Sequence, residues 1–212
     1  MPILMKWRKP LEWIVVLEGN FSVPGLVLAG LVLKKIFYLC RHYGLNEVAD
    51  YWLKVVEINE YQQRRFVINI IENMFNTIAG KKIAIFGFAF KADTGDTRES
   101  PAIYVVKRLL EEKAVLSIYD PKAVENAKTE LESYRGKNLL FSNDPFECAD
   151  GADAIAILTD WKDFAGYDYE KIYRHMRKPA FIFDGRNVID GKRLGKIGFN
   201  VFSIGKTPLK NL

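Results

Sequence analysis

The sequence predicts an α/β fold, a Rossmann-like parallel sheet with flanking helices, preceded by one long helix. Three observations predict it. From residue 81 onward, short apolar runs alternate with helix-like segments, the grammar of a parallel sheet with right-handed crossovers. The run KIAIFGF (82–88) is apolar after its first lysine, as a strand buried on both faces must be. Residues 46–79 carry apolar residues at three- and four-residue spacing, the period of one helical face.

Each element follows in order. Val48, Tyr51, Trp52, Val55 and Val56, and then Val67, Ile70, Ile71, Met74, Phe75 and Ile78, mark the long helix. Asn46 is its expected N-cap and Gly80 its expected terminator. Such a length suits a spine that joins two domains or pairs with a second copy of itself. After KIAIFGF, Ser100 and Pro101 form a cap and a first helical turn. Ile103, Val106 and Leu110 give that helix its stripe. VLSIY (115–119) is a second strand, stopped by Asp120 and Pro121. A polar helix near 122–134, the strand LLFS (139–142), a short helix and DAIAIL (153–158) come next. A helix near 168–176 leads to AFIFD (180–184), and FNVFSI reads as an edge strand.

Composition narrows the function classes. With 49% hydrophobic and 27% charged residues, the chain is a globular sequence and not a disordered one. The net charge of +5 comes from scattered lysines and arginines, so no nucleic-acid partner is expected. The apolar run VPGLVLAGLVL (23–33) falls short of the roughly 20 residues of a membrane span. Its upstream flank, with Glu12 and Glu18, is wrong for a signal peptide. A cytoplasmic protein with no membrane partner is expected. Cys40 and Cys148 form no metal-ligand spacing and read as reduced, packed thiols. His42 and His175 lack neighbouring ligand-type residues and read as surface or structural.

Three polar loops leave strand carboxyl ends, where ligands sit in parallel sheets: 88–100, Thr159-Asp160-Trp161 and Asp184-Gly185-Arg186. The first loop, FAFKADTGDTRES, ends at a helix N-terminus, which favours an anion. Lys91 and Arg98 add positive charge, and Arg186 offers a planar fork for phosphate or carboxylate. Phe88 and Phe90 offer flat faces for a base or sugar ring. Together they suit a nucleotide or nucleotide sugar. The competing reading pairs Asp93, Asp96, Arg98 and Glu99 with each other on a surface loop. No GxGxxG occurs in the sequence, so the loop is not the usual dinucleotide fingerprint. Asp120-Pro121 reads as a strand stop and helix cap, Trp161 as packing near the cleft mouth. Glu57, Glu60, Arg64 and Arg65 have spacing for i,i+4 pairs.

The segments KKIAIFGFAFKADTGDTRES, YDP, TDW and KPAFIFDGRNVIDG stand in that order. Together they closely resemble the C-terminal domain of the animal-type UDP-glucose 6-dehydrogenase family. LNEVADYW and NEYQQRRF resemble that family's central dimer-forming helix. The resemblance covers about residues 34–212. It implies NAD-dependent oxidation of UDP-glucose to UDP-glucuronate, of which this chain keeps the UDP-sugar half. It implies that Phe90, Lys91 and Arg186 contact the UDP-sugar, and that Arg98 reaches the NAD side of the cleft. It implies a homo-oligomer, or association with full-length enzyme, through the central helix. The expected organisation is an aberrant or poorly structured segment at 1–37, a central dimerisation helix at 38–80, and a UDP-sugar-binding Rossmann-like domain at 81–212.

The family also uses an N-terminal NAD domain and a nucleophilic cysteine in GFGGSCFKKD. Neither pattern stands in these 212 residues, so the chain alone is expected to be inactive and no catalytic residue is assigned. Cys40 matches a second, non-catalytic family cysteine. The alternative function is a catalytically inactive UDP-sugar-binding or co-assembling module. Where GFGGSCFKKD would fall, the chain has VLAGLVLKKI (27–36). Suitable codons for that stretch, read one base earlier, encode GFGGSCFKKD. Residues 1 to about 37 therefore read as an out-of-frame translation, the alternative being a real, divergent N-terminal arm that packs on the central helix. Sequencing the transcript across codons 1–40 tests this. A frame continuous with GFGGSC is expected, and a transcript that encodes MPILMKW as written contradicts it.

Overall fold

A computed structural model describes residues 30–136 and 138–211, with side chains from residue 33. Residues 1–29, most of the stretch read as out of frame, lie outside the described residues. Helix α1 (Gly30–His42) crosses the expected boundary at 37/38. The chain turns at Gly44, whose φ of 72° suits glycine, and enters α2 (Asn46–Asn73). At about 1.5 Å per residue, the 28 residues of α2 extend roughly 42 Å.

Both expected ends of the long helix are corrected. Asn46 is not the N-cap. Leu45 holds that position without a side-chain cap, and the Asn46 amide oxygen accepts instead from the Arg41 guanidinium at 3.0 Å. Gly80 is not the terminator. The helix stops at Asn73, and Phe75 and Asn76 follow with positive φ. Lys81 then donates to the Met74 carbonyl at 2.5 Å, satisfying an open helix end.

Six strands form one sheet: β1 (Lys82–Phe86), β2 (Val115–Tyr119), β3 (Leu139–Phe141), β4 (Ala154–Ile157), β5 (Phe181–Asp184) and β6 (Asn200–Ser203). Their order is β3-β2-β1-β4-β5-β6, with every pair parallel. This is the doubly wound order, in which the chain reverses direction across the sheet between β1 and β4. β6 is an edge strand, as expected. Helices α3 (Pro101–Glu111), α4 (Val124–Glu130), α5 (Pro145–Ala149), α6 (Asp163–Gly166), α7 (Tyr169–His175) and α8 (Gly191–Ile197) connect the strands. The expected polar helix near 122–134 is split into α4 and a 3₁₀ turn, Glu132–Tyr134.

Alternating strand residues supply two cores. On one face Ile83, Ile85, Leu116, Ile118 and Phe183 pack with Phe66, Ile70 and Met74 of α2 and with α3. On the other, Phe86, Ile155, Ile157 and Ile182 pack with Phe164, Tyr169, Leu194 and Phe199. Burying a large side chain contributes about 2 kcal/mol, so Phe66, Ile70 and Met74 anchor the distal half of α2 to the sheet. The proximal half packs on α1 instead. It leaves Val48, Tyr51, Ile58 and Tyr61 exposed, alongside Tyr38 of α1 and Tyr43 in the turn that follows it.

Cys40 and Cys148 are both free and buried, as expected. Burial pushes the Cys148 thiol up to about 12, and it donates to the Ser117 carbonyl at 3.1 Å.

Candidate functional site

The loop after β1 is folded by the carboxylate at the end of β2. Asp120 is 2% exposed. Its Oδ2 accepts from the Phe88 and Ala89 amides at 2.7 and 2.9 Å and from the Trp161 indole at 3.3 Å. Its Oδ1 accepts from the Lys122 and Ala123 amides at 2.9 and 2.8 Å. Asp120 therefore ends β2 and turns the chain toward α4, as expected, but it does not cap that helix, whose N-cap position is held by Ala123 without a side-chain cap; it also ties together the loops after β1, β2 and β4. Trp161 is a buried packing residue, as expected, with its indole spent on this carboxylate.

Gly87 is required at the turn. Its φ is 90°, and a Cβ there would lie 2.4 Å from the Thr159 Cβ. Thr159 donates to the Ala89 carbonyl at 2.6 Å. The start of the β4 loop thus packs directly on the β1 turn. A glycine-rich turn of the dinucleotide type leaves backbone open to a pyrophosphate. Here Thr159 fills that approach, so the residues present do not fit a dinucleotide pyrophosphate at this turn.

The rest of the loop closes on itself. The Phe90 amide donates to the Asp96 carbonyl at 2.8 Å, and the Asn126 side chain donates to the Gly95 carbonyl at 2.6 Å. Ser100 caps α3 by accepting from the Ala102 amide, with Pro101 in the first turn, as the sequence predicts.

Phe90 is half-buried and Lys91 is exposed. Phe88 is fully buried in the core, which corrects its reading as a ligand-facing ring. Arg186 is only 14% exposed and pairs with Asp160 at 3.1 Å. The same Asp160 oxygen lies 3.4 Å from the Ala92 amide, so one carboxylate brings Arg186 beside the Phe90-Lys91-Ala92 segment. Arg98 stands apart, 78% exposed, with its guanidinium forked on Asp96. That fork holds the Asp96 carboxyl at about 2. The pair's contribution is present above the ordinary carboxylate range and is lost as pH falls through about 2. It is small and salt-screened, because both groups face solvent.

The surface-pairing reading of the loop holds for Asp96 and Arg98. Glu99 instead reaches Lys34 of α1 at 2.8 Å. On α2, Glu57 pairs with Lys54. Among the described residues no ion pair joins Glu60 to Arg64 or Arg65. His42 and His175 are exposed, and no group of metal-ligating side chains occurs among the described residues.

Sequence reasoning missed the roles of Asp160 and Asp184. Asp184 is fully buried and folds the DGRN turn by accepting from the Arg186 and Ile189 amides at 2.9 and 3.1 Å. Gly185 allows a close pass, since a Cβ there would sit 2.9 Å from the Ile157 carbonyl and 3.4 Å from the Phe66 ring. Phe66 of α2 thereby supports the backbone that aims Arg186. The available signal was an acid at a strand's carboxyl end, present in YDP, LTD and FDG alike.

A doubly wound sheet with cationic loops at the carboxyl end of its switch point defines a nucleotide-binding α/β domain of the dehydrogenase kind. Residues 84–191, half of the chain, match the family model described as "UDP-glucose/GDP-mannose dehydrogenase family, UDP binding domain", and the chain belongs to that family. It is 50% identical over 188 residues to UDP-glucose 6-dehydrogenase 2 of Oryza sativa subsp. japonica, across 81% of this chain and 39% of that protein. It is 48% identical over 181 residues to UDP-glucose 6-dehydrogenase of Rattus norvegicus, across 81% and 37%. The chain thus spans about two fifths of the length of these relatives. Among solved structures, a UDP-D-ManNAc dehydrogenase from Pyrococcus horikoshii is similar at 26% identity and TM-score 0.65, across 92% of this chain and 44% of that one. A UDP-glucose dehydrogenase from Pyrobaculum islandicum shares the fold, at 23% identity and TM-score 0.68, across 92% and 42%. Plant and rat relatives are similarly alike, so the comparisons give the family without the animal-type subdivision.

The buried carboxylate at the end of β2 sets a stability prediction. Asp120→Asn leaves amide hydrogens facing at least one pair of backbone N–H donors. An unsatisfied buried donor costs about 1–3 kcal/mol, so the variant should lose about 3 kcal/mol. In thermal unfolding that corresponds to a fall of about 6–12 °C for a domain of this size. A shift below about 2 °C would contradict the role given to Asp120.

Proposed function

We propose that this chain is the UDP-sugar-binding half of a UDP-glucose 6-dehydrogenase, an NAD-dependent enzyme that oxidises UDP-glucose to UDP-glucuronate in the cytoplasm. The observation that carries the reading is the Arg186–Asp160–Ala92 arrangement, which brings a guanidinium beside Lys91 at the carboxyl end of the sheet. The membership of residues 84–191 in the UDP-binding family supports the choice of ligand.

In this reading the UDP phosphates lie against Arg186 and Lys91, and Phe90 packs on the nucleotide sugar. Arg186 is held nearly out of solvent before the ligand arrives, so little side-chain entropy remains to be lost on binding. Arg98, exposed beside Asp96, reaches toward NAD held outside these residues. When bound, NAD accepts the hydride from the sugar's C6 carbon. The Thr159-filled turn after β1 supports placing that cofactor elsewhere. These residues bind and orient the nucleotide end of the substrate and contribute no nucleophile, so the chain alone should not reduce NAD.

Tyr51, Ile58 and Tyr61, exposed on the central helix at spacings of seven and three residues that suit one helical face, are what a second copy, or full-length enzyme, would cover. An inactive module that co-assembles with full-length enzyme is the second reading, favoured by that same face. Co-purification with full-length enzyme separates it from a solitary binding domain. No described helix is long and apolar enough to cross a membrane.

Calorimetric titration with UDP and UDP-glucose tests the proposal. Saturable one-to-one binding is expected. Arg186→Ala and Lys91→Ala should each weaken it about tenfold, equivalent to about 1.4 kcal/mol. Arg98→Ala should leave it within about twofold. Absence of UDP binding, or binding indifferent to Arg186, would overturn the assignment.

A further inference from the structure

We propose, resting on the UDP-sugar reading of the loop after β1, that Asn126 of α4 is a positioning residue for that loop. It holds Phe90 and Lys91 in place for the nucleotide sugar by clasping the backbone at Gly95. The root of the loop is fixed by Asp120, which accepts from the Phe88 and Ala89 amides. Phe90 and Lys91 come directly after that anchor, and the chain must then return to Ser100 and α3. Among the described residues, the outer arm, 91–96, is fastened to other elements by Asp160, Lys122 and Asn126. Asp160 accepts from the Ala92 amide at 3.4 Å, and the Lys122 ammonium donates to the Asp93 carbonyl at 3.5 Å. Both are longer than the roughly 2.7–3.2 Å of a well-formed bond. The Asn126 amide donates to the Gly95 carbonyl at 2.6 Å.

A second observation falls on the same contact. A Cβ on Gly95 would sit 3.0 Å from the Lys122 carbonyl oxygen and 3.5 Å from the Asn126 Nδ2. Gly95 does not have a positive φ, so its glycine serves the close approach of the loop to α4 rather than an unusual backbone conformation. The surface it settles on is firm. Val124 and Ala127 of α4 are buried, and the turn into α4 is tied to the same Asp120 through the Lys122 and Ala123 amides.

One further bond carries the clasp to the ligand-facing residues. Asp96 follows Gly95, and its carbonyl accepts from the Phe90 amide at 2.8 Å. Asp120 therefore holds the Phe90-Lys91 segment from its root, and Asn126 holds it from across the loop. A loop shaped in advance loses less conformational freedom when a ligand binds. The clasp thus acts on affinity. It contributes little to the stability of the domain, because Asn126 is exposed and its bond competes with water.

Calorimetric titration of the full chain with UDP-glucose tests the role of Asn126. Asn126→Ala should weaken binding about fivefold, the effect of one hydrogen bond. Its thermal midpoint should move by less than about 2 °C, as for a surface substitution. Gly95→Ala opens the same contact from the loop side and should weaken binding to a similar degree. Asn126→Gln keeps an amide donor on the exposed side of α4 and should bind within about twofold of the unaltered chain. In a Lys91→Ala background, Asn126→Ala should cost less than about twofold, since the two changes act through one segment and do not add. Hydrogen exchange of the Phe90 amide without ligand should quicken in Asn126→Ala while that of Ile83 stays as it was. Equal affinity of Asn126→Ala and the unaltered chain, or a full loss that persists in the Lys91→Ala background, would overturn the proposal. If the unaltered chain does not bind UDP-glucose, the UDP-sugar reading fails and this proposal with it. Binding that is indifferent to Asn126 removes the proposal alone.

Discussion

The buried carboxylate of Asp120 is the constraint on which the binding end of this fold depends. A lone carboxylate in an apolar interior is costly. This one is made tolerable by four backbone amides and one indole, the kind of charge-assisted bonding that offsets burial. Those donors come from the turns after three different strands. Satisfying the charge therefore requires all three turns to take up their native shapes together, and the shape of one loop becomes a condition for the others.

Asp184 repeats the device three strands further across the sheet, folding DGRN around its own oxygens. Between them stands Asp160, half-exposed, which joins the two systems through Arg186 and Ala92. Two buried acids shape backbone, and one surface acid positions a side chain. The cationic end of the sheet is thus prepared by a frame of carboxylates. The long helix enters the same frame through Phe66, whose ring lies against Gly185. A change in how α2 is held would be felt at the loop that carries Arg186, which links an association surface to a binding loop by direct packing.

Much of this was legible in the sequence. All six strands follow from apolar runs of four to six residues, because a sheet covered on both faces leaves no alternation to misread. Ser100-Pro101 announced α3 by cap chemistry alone. The helix ends were less legible. Asn46 and Gly80 are good local signals, yet Arg41 takes the asparagine oxygen and Phe75 turns the chain before the glycine is reached. The first outcome is a local competition between Arg41 and the helix end for one side-chain oxygen; the second is accompanied by a long-range contact of the Phe75 ring with Phe181, which no short window shows. α8 was missed because its seven residues include two glycines and stand where Asp190 provides a cap but no stripe follows. At the site, the cations were visible by type. The acids that place them were not, because a carboxylate at a strand end reads equally well as a turn former. Phe88 was misassigned for the same reason: a phenylalanine on a loop has no marker for which way it faces.

Native-state hydrogen exchange of individual amides tests the central role of Asp120 most directly. If the carboxylate holds the β1 turn as a fixed part of the sheet, the Phe88 and Ala89 amides will be protected to nearly the same free energy as Ile83 and Ile85 in β1. Their protection will fall in Asp120→Asn while that of β1 falls only with global stability. If Phe88 and Ala89 exchange at rates typical of an open surface loop in the unaltered chain, the turn is not held by that carboxylate and the account is contradicted.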